Sequence, residues 1–222
     1  MKNFIHKHIL LENQLKEVTV DGKRFYETPG GIFPSVTTVT GWEKQNFFAE
    51  WRRKNPEESK RVTVRGTKFH GIIEDYLNNK ELDFENMIPN YKVLFNLLKP
   101  ELDKIDNITA IETPLWSKIL GLAGRTDCIA EYDGKLSIID FKASTKEKRK
   151  EDIENYFLQA TAYALMYQER TNIIVENFAI LISCEDGLKQ VFQGNPLQYV
   201  KKLKETIKNY RKNHEIPRAE NA

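Results

Sequence analysis

Residues 121–142, GLAGRTDCIAEYDGKLSIIDFK, decide the fold, because they predict two antiparallel strands joined by a tight turn. The turn is the Asp-Gly pair at residues 133–134, which is typical of hairpins because glycine accepts a positive φ. Asp127 lies on the first strand, and Asp140 and Lys142 lie near the end of the second. Since the latter two are two residues apart, their side chains leave the same face of the strand. Strand pairing therefore predicts that two carboxylates and a lysine converge.

These residue types point to a divalent cation and a water nucleophile. Mg²⁺ prefers carboxylate oxygens and Mn²⁺ also accepts imidazole, so Asp127 and Asp140 are natural metal ligands. His70 could supply a third ligand from a predicted upstream helix, where it shares a face with Glu74. Lys142, beside a metal-bound water, could stabilise hydroxide or orient the nucleophile. Such a site suits the hydrolysis of a phosphodiester.

The rest of the chain predicts an α/β fold with a central mixed β-sheet flanked by helices, in a single domain over residues 1–222. Residues 1–40 are expected to form a β-rich N-terminal extension, with a hairpin over 18–28 and an extended segment at 35–40, SVTTVT. Apolar periodicity and turn residues predict the remaining elements. Helices are expected over 42–54, 66–78, 91–102, 153–167 and from 195 onward, and a basic segment at 60–68 leads into the second of them. Further strands are expected over 108–116, 173–184 and 188–192.

Composition limits the class of protein and its environment. The chain has 222 residues and a formal net charge of +2, so any nucleic-acid binding must come from local basic patches. Cys128 and Cys184 lie in apolar runs and predict buried thiols in a reducing compartment; two cysteines cannot supply a four-thiolate iron–sulfur cluster. No run is long enough to predict a membrane span. Because residues 1–20 contain neither Arg nor Ser, we expect a cytoplasmic protein, of a bacterial or phage-infected cell, rather than a mitochondrial one.

Basic and aromatic residues alternate in the segment before His70, as single-stranded nucleic acid requires for its phosphates and bases. A second basic group follows Lys142. The predicted nucleic-acid contacts are Trp42, Trp51, Arg52, Arg53, Arg61, Arg65, Lys68, Arg125, Ser144 and Lys146. The tryptophans fit a buried core as well as a stacking surface. The basic face of the last helix is interpreted as solvated.

Several motifs together resemble the PD-(D/E)XK nuclease superfamily. They are Gly-x-x-Gly-x-x-Asp at 121–127, Ile-Asp-Phe-Lys-Ala-Ser at 139–144 and Gln-x-x-x-Tyr at 159–163. The segment RGTKFHGIIEDYL at 65–77 is similar to the histidine motif of its RecB-like branch, which includes related mitochondrial and phage exonucleases, and PSVTTV at 34–39 is similar to an N-terminal segment of that branch. The resemblance covers roughly residues 34–167.

The resemblance implies a role for each matching position. The metal ligands would be His70, Asp127, Asp140 and the backbone carbonyl of Phe141, with Lys142 catalytic. Gln159 and Tyr163 would lie beside the site and orient its groups. Glu112, on the strand before the hairpin, would support Lys142 or a water outside the metal's own ligands. The helices over 42–69 would form an arch through which a strand is threaded.

We therefore expect a Mg²⁺- or Mn²⁺-dependent deoxyribonuclease without an iron–sulfur cluster. Its expected activity is that of a monomeric exonuclease on single-stranded DNA with a free end. It would act in replication, recombination or repair, with replication or recombination proteins as candidate partners. The resemblance implies that its products carry 5′-phosphates. Two alternatives stay open on the same residues. One is a structure-specific or sequence-specific endonuclease, and the other is a nucleic-acid-binding subunit whose nuclease site is silent.

Overall fold

A five-stranded mixed sheet forms the centre of the computed structural model, which describes residues 2–7, 9, 11 and 14–215. Its strands, in spatial as well as chain order, are β4 (Ile105–Ser117), β5 (Leu122–Tyr132), β6 (Lys135–Ser144), β7 (Asn177–Cys184) and β8 (Lys189–Gly194). The β6 and β7 strands are parallel, and every other neighbouring pair is antiparallel. The parallel pair requires a crossover, which a helix between the two strands provides.

Helices cover both faces of this sheet. The helices are α1 (Val36–Thr40), α2 (Gln45–Lys54), α3 (Pro56–Leu77), α4 (Pro89–Leu102), α5 (Glu154–Thr171) and α6 (Val200–Asn213). One apolar core lies between the sheet and α3 and α4, and a second lies between the sheet and α1, α5 and α6. Neighbouring residues of β6 show the division, because Ile138 belongs to the α5 core and Ile139 to the α3 core. The predicted α/β fold with a flanked mixed sheet is confirmed.

The N-terminal part of the chain forms a separate antiparallel sheet of β1 (Lys16–Val20), β2 (Lys23–Thr28) and β3 (Gly31–Pro34). The β1–β2 turn is the predicted one, and both of its residues have positive φ (Asp21 50°, Gly22 71°). Tyr26 of this sheet packs against Trp116 and Ala123 of the main sheet. The β-rich N-terminal extension is therefore confirmed, and it lies against the start of β5.

Three predicted elements are wrong in type or in bounds. Residues 36–40 form a short helix instead of an extended segment, because the Ser35 side chain caps it by accepting the Thr38 N–H at 3.0 Å. Residues 60–68 belong to α3, which begins at Pro56, a residue suited to the first turn of a helix. The strand predicted from residue 173 begins at Asn177, because the chain leaves α5 through Asn172 at φ 59°.

Both cysteines are free and buried, as the sequence predicts for small apolar thiols. Among the described helices, none combines the length and the apolar character that crossing a bilayer would need. The helices over 45–54 and 56–77 occupy the segment predicted as an arch. The arch itself, and the single-domain organisation, stay predictions.

Candidate active site

The site lies where β5 and β6 stop pairing. Their ladder ends at the pair Cys128–Ile139, whereas β6 continues alongside β7 as far as Ser144. At the opening, the carboxylate of Asp127 accepts the backbone N–H of Phe141 at 2.9 Å. A side chain therefore takes the place of the next ladder hydrogen bond, and this contact holds Asp127 against the strand that carries the lysine motif.

Asp140 and Lys142 form an ion pair on one face of β6, with Oδ2 and Nζ 2.5 Å apart. Burial raises the pKa of Asp140, whose side chain is almost completely enclosed. Burial also opposes the charge of Lys142, but the negative charges of Asp140 and Asp127 outweigh it and raise the pKa of Lys142 above its usual value. Lys142 therefore carries its proton at neutral pH and acts as a cation.

His70 joins this region from α3 and meets two carboxylates. Its Nδ1 lies 3.6 Å from Oε1 of Glu112 and 3.6 Å from Oδ2 of Asp127. Burial alone would lower the pKa of His70, but the charge of Asp127 and a hydrogen bond with Glu112 outweigh it, and the net shift is upward. The imidazole is therefore held between two acids that favour its charged form.

Glu112 reaches this position through an irregularity in β4. The strand register places it between the pairs Ile111–Cys128 and Thr113–Thr126, opposite Asp127. Its φ is 45°, in the left-handed region that costs a non-glycine residue roughly 1–2 kcal/mol. This unusual backbone conformation occurs at the residue whose side chain lies beside His70.

The donor set fits a hard divalent cation. One imidazole nitrogen and two carboxylate oxygens, from His70, Glu112 and Asp127, lie within 4.8 Å of one another. Oxygen ligands with one imidazole suit Mn²⁺, and the carboxylates suit Mg²⁺. This cluster includes Glu112, whereas the sequence-based set contained Asp140, which is paired with Lys142 instead. The ligand roles of Asp140 and of the Phe141 carbonyl stay predictions.

A cavity of about 230 Å³ connects these groups and extends to residues that the sequence did not single out. The predicted site residues on its wall are His70, Glu112, Arg125, Asp127, Lys142, Gln159 and Tyr163. The N-terminal sheet and the start of α1 contribute Arg24, Tyr26, Ser35 and Thr37. No local pattern links those four to a site about 100 residues downstream in this chain; the tertiary contact between β2 and β5 brings them there.

Helix α5 supplies one wall of the cavity through residues on a single face. Tyr163 is buried, and its hydroxyl is hydrogen-bonded by Gln159. A Cβ at Gly124 would lie 2.7 Å from that hydroxyl, which explains why a glycine precedes Asp127 in the motif. Tyr156, which belongs to none of the sequence motifs, places its ring 5.1 Å from the Lys142 ammonium. Its spacing of three residues before Gln159 is the helical signal that could have found it.

The residues predicted to contact nucleic acid divide into exposed and enclosed groups. Exposed side chains belong to Arg52, Arg53, Arg61, Lys68, Arg125 and Lys146, and Trp51 is half-buried. Trp42 packs partly against the α5 core, with its ring 5.6 Å from that of His214. Two predicted contacts are enclosed, because Arg65 is ion-paired with Glu185 and Ser144 donates to the carbonyl of Lys146 at 2.6 Å. In this conformation neither of these two reaches a bound strand.

A known nuclease superfamily matches the part of the chain that carries the Asp–Lys pair of β6. Residues 95–177 match the sequence model of the PD-(D/E)XK nuclease superfamily, a span that contains Glu112, Asp127, Asp140 and Lys142. Over that span, which is less than half of the chain, the protein is similar to this superfamily. His70 lies outside the matched span.

Curated relatives extend the likeness beyond that span. The chain is 30% identical to human mitochondrial genome maintenance exonuclease 1 over 178 residues, which is 70% of this chain and 50% of that protein. The mouse protein of the same name is 30% identical over 173 residues, covering 69% of this chain and 50% of the relative. The chain thus spans half the length of the curated relatives it matches. The predicted resemblance is confirmed.

A solved structure from Eubacterium rectale superposes on 72% of this chain and 71% of its own, with a TM-score of 0.45 and 11% identity. A likeness at that level carries no argument about the site.

Proposed function

We propose that the chain is a metal-dependent exonuclease that hydrolyses phosphodiester bonds of single-stranded DNA from a free end. One observation carries the proposal: Lys142, which is paired with Asp140, lines the same cavity as the cluster of His70, Glu112 and Asp127. A protonated lysine beside acidic metal ligands suits phosphodiester hydrolysis, because both the cation and the ammonium stabilise developing negative charge.

The chain's own residues divide the chemical work. His70, Glu112 and Asp127 would hold Mg²⁺ or Mn²⁺, and the bound cation supplies charge neutralisation and a more acidic water. Lys142, which stays protonated, donates hydrogen bonds to an oxygen that carries negative charge and so stabilises the attacking or leaving group. Asp140 and the Tyr156 ring hold that ammonium in place.

Single-stranded DNA is the proposed substrate because α2 exposes aromatic and basic side chains. Phe47 and Phe48 are 66% and 46% exposed, and their rings meet edge to face with centroids 5.4 Å apart. The same helix ends in exposed Arg52 and Arg53, and Lys54 beside them pairs with Glu50. Exposed rings beside cations match the stacking and phosphate contacts that unpaired bases need.

Action from an end is proposed because the relatives are named as exonucleases. Roles in replication, recombination or repair, and partners from those processes, belong to the same proposal. No observation in the described residues favours an endonuclease or a silent subunit over it.

The decisive experiment compares end-labelled linear DNA with covalently closed circles, both single-stranded, in the presence of Mg²⁺ or Mn²⁺. We expect degradation of the linear strand and intact circles, and the order in which 5′ and 3′ labels are released gives the direction. Cutting of circles would establish the endonuclease alternative instead. A duplex of the same sequence measures the preference for single strands.

Variants of β6 test whether the proposed site performs the reaction. Replacing Lys142 with Ala should reduce kcat by roughly 10²–10³-fold, the usual effect of removing one stabilising donor. Lys135→Ala is the matched control, because it removes an exposed lysine from the other end of the same strand. If wild type and Lys142→Ala show the same residual hydrolysis, the silent-subunit alternative is favoured.

A further inference from the structure

Glu185 gathers donors from two helices at the end of the parallel strand pair. Its carboxylate accepts from Arg61 at 2.6 Å and 3.0 Å, from Asn90 at 3.0 Å and from Arg65. Arg61 and Arg65 belong to α3, and Asn90 lies in the first turn of α4. These donors lower the pKa of Glu185, with the hydrogen bond from Arg61 as the largest cause. The carboxylate is thus charged at neutral pH and fixed from several sides.

Arg65 extends this contact to the strand that carries the lysine motif. Its guanidinium donates to the backbone carbonyl of Ala143 at 3.3 Å and to the Thr145 hydroxyl at 3.2 Å. Ala143 directly follows Lys142, and Arg65 precedes His70 by five residues on the same helix. One side chain therefore connects the helix of the candidate metal ligand to the strand of the candidate catalytic lysine.

Burial makes Arg65 unsuited to a surface role. Its side chain is 4% exposed and that of Glu185 is 14% exposed. Removing one partner of a buried ion pair leaves an uncompensated charge, so the remaining partner moves toward water or another acid. On a helix packed against the sheet, such a movement displaces the residues of the neighbouring turn.

We propose that Arg65 and Glu185 form a positioning pair that sets His70 against Asp127 and Lys142, an inference that rests on the proposed nuclease function. The pair contacts neither substrate nor metal. The pair acts on the reaction indirectly, because it fixes the distance between α3 and the end of β6. Groups that orient metal ligands change metal affinity or activity by about 10–100-fold when they are lost.

The test replaces Glu185 with Gln, which keeps the shape but presents an amide N–H to the arginines. We expect Mn²⁺ affinity, measured by calorimetry or by the EPR signal of free Mn²⁺, to fall by about 10-fold or more. The kcat should fall in parallel, while affinity for a single-stranded oligonucleotide in EDTA stays within about twofold. Arg65→Lys, which keeps the charge but loses the forked guanidinium, should behave in the same way.

Glu101→Gln is the matched control for lost stability. Glu101 is another buried carboxylate held by two cations, with Lys104 at 2.8 Å and Lys189 at 2.6 Å, and it lies outside the candidate site. The Glu101→Gln substitution should lower Tm while leaving Mn²⁺ affinity unchanged. Equal losses of Mn²⁺ affinity in Glu101→Gln and Glu185→Gln would overturn the proposal.

Two further outcomes separate the proposal from its rivals. If Arg65 contacts DNA, Arg65→Lys keeps Mn²⁺ affinity and Glu185→Gln strengthens oligonucleotide binding, and the positioning role is refuted. If the wild type lacks nuclease activity, the proposed function fails, but the Mn²⁺ comparison still decides the role of the pair. Should Glu185→Gln fail to fold, Glu185→Asp, which shortens the same carboxylate, provides the comparison.

Discussion

Glu112 and Asp127 lie opposite each other on neighbouring strands, and each places a carboxylate oxygen 3.6 Å from the same atom, Nδ1 of His70. Both acids therefore attract the imidazole when it carries a proton. In the metal-free protein they favour the proton, because their charges outweigh the effect of burial and raise the pKa of His70. A metal ion must displace that proton to use the nitrogen.

Metal binding should consequently depend on pH. Below the raised pKa of His70 the proton competes with the cation, so the apparent Mn²⁺ affinity should rise by up to about tenfold per pH unit and level off above that pKa. Calorimetric titrations with Mn²⁺ between pH 6 and pH 8 measure this slope. Replacing His70 with Asn should weaken binding and flatten the curve. A slope that persists in His70→Asn would assign the proton to another group.

Asp127→Asn separates the charge of this residue from its structural contact. The amide oxygen can still accept the Phe141 N–H, so we expect a change in Tm of no more than a few degrees. The loss of a ligand charge should reduce Mn²⁺ affinity and kcat by about 100-fold or more. Asp127→Ala removes both functions and should cost a further 1–3 kcal/mol of folding free energy, roughly the cost of an unpaired buried N–H. Chemical denaturation of the two variants gives the difference.

Gly124→Ala tests whether the position of Tyr163 matters. The new methyl group would lie 2.7 Å from the Tyr163 hydroxyl, so the buried ring must shift or rotate away from the cavity. We expect a loss of about 1–3 kcal/mol of stability from overpacking, and a lower kcat if Tyr163 orients the reacting groups. Tyr163→Phe in the same background removes the contact at 2.7 Å but leaves ring carbons 3.1 Å and 3.3 Å from the new methyl group, so part of the lost stability should return. Recovery of Tm in the double variant would confirm the clash as the cause.

Phe47→Ala/Phe48→Ala tests the exposed rings of α2. Both side chains are largely exposed, so Tm should stay within about two degrees of wild type. If the rings stack on bases, affinity for a single-stranded oligonucleotide should fall by roughly 10-fold, because stacking is worth about 1–3 kcal/mol per base. Leu197→Ala, at another exposed apolar residue, is the control for nonspecific loss. Unchanged DNA affinity in the double phenylalanine variant would remove α2 from the substrate path.

The parts of the fold that depend on local signals were predictable from the sequence. The turn at 133–134 and the two-residue spacing of Asp140 and Lys142 fix the hairpin and the shared face without long-range information. The helix at 36–40 was missed because β-branched residues favour strands, whereas the hydrogen bond from Thr38 N–H to Ser35 decides the outcome.

The parts that depend on distant contacts were not predictable in the same way. Arg65 carries the same charge in the sequence as its exposed neighbours, and its burial follows from Glu185, 120 residues later. Glu112 joins the cluster of candidate metal ligands at a point where its own φ is positive, and strand periodicity gives no signal for such a conformation. Arg24 and Thr37 reach the cavity only because the N-terminal sheet packs against β5.

The ion pair on β6 also determines the charge balance of the cavity. With His70 neutral, the carboxylates of Glu112, Asp127 and Asp140 exceed the ammonium of Lys142 by two negative charges near the candidate metal ligands, while Arg24 and Arg125 supply positive charge elsewhere on the cavity wall. A divalent cation cancels that excess, whereas a monovalent ion leaves half of it. Without the cation, the acids repel a phosphate group, whereas Lys142 and the two arginines attract it. A divalent cation bound here therefore lets a phosphodiester approach acids that would otherwise repel it.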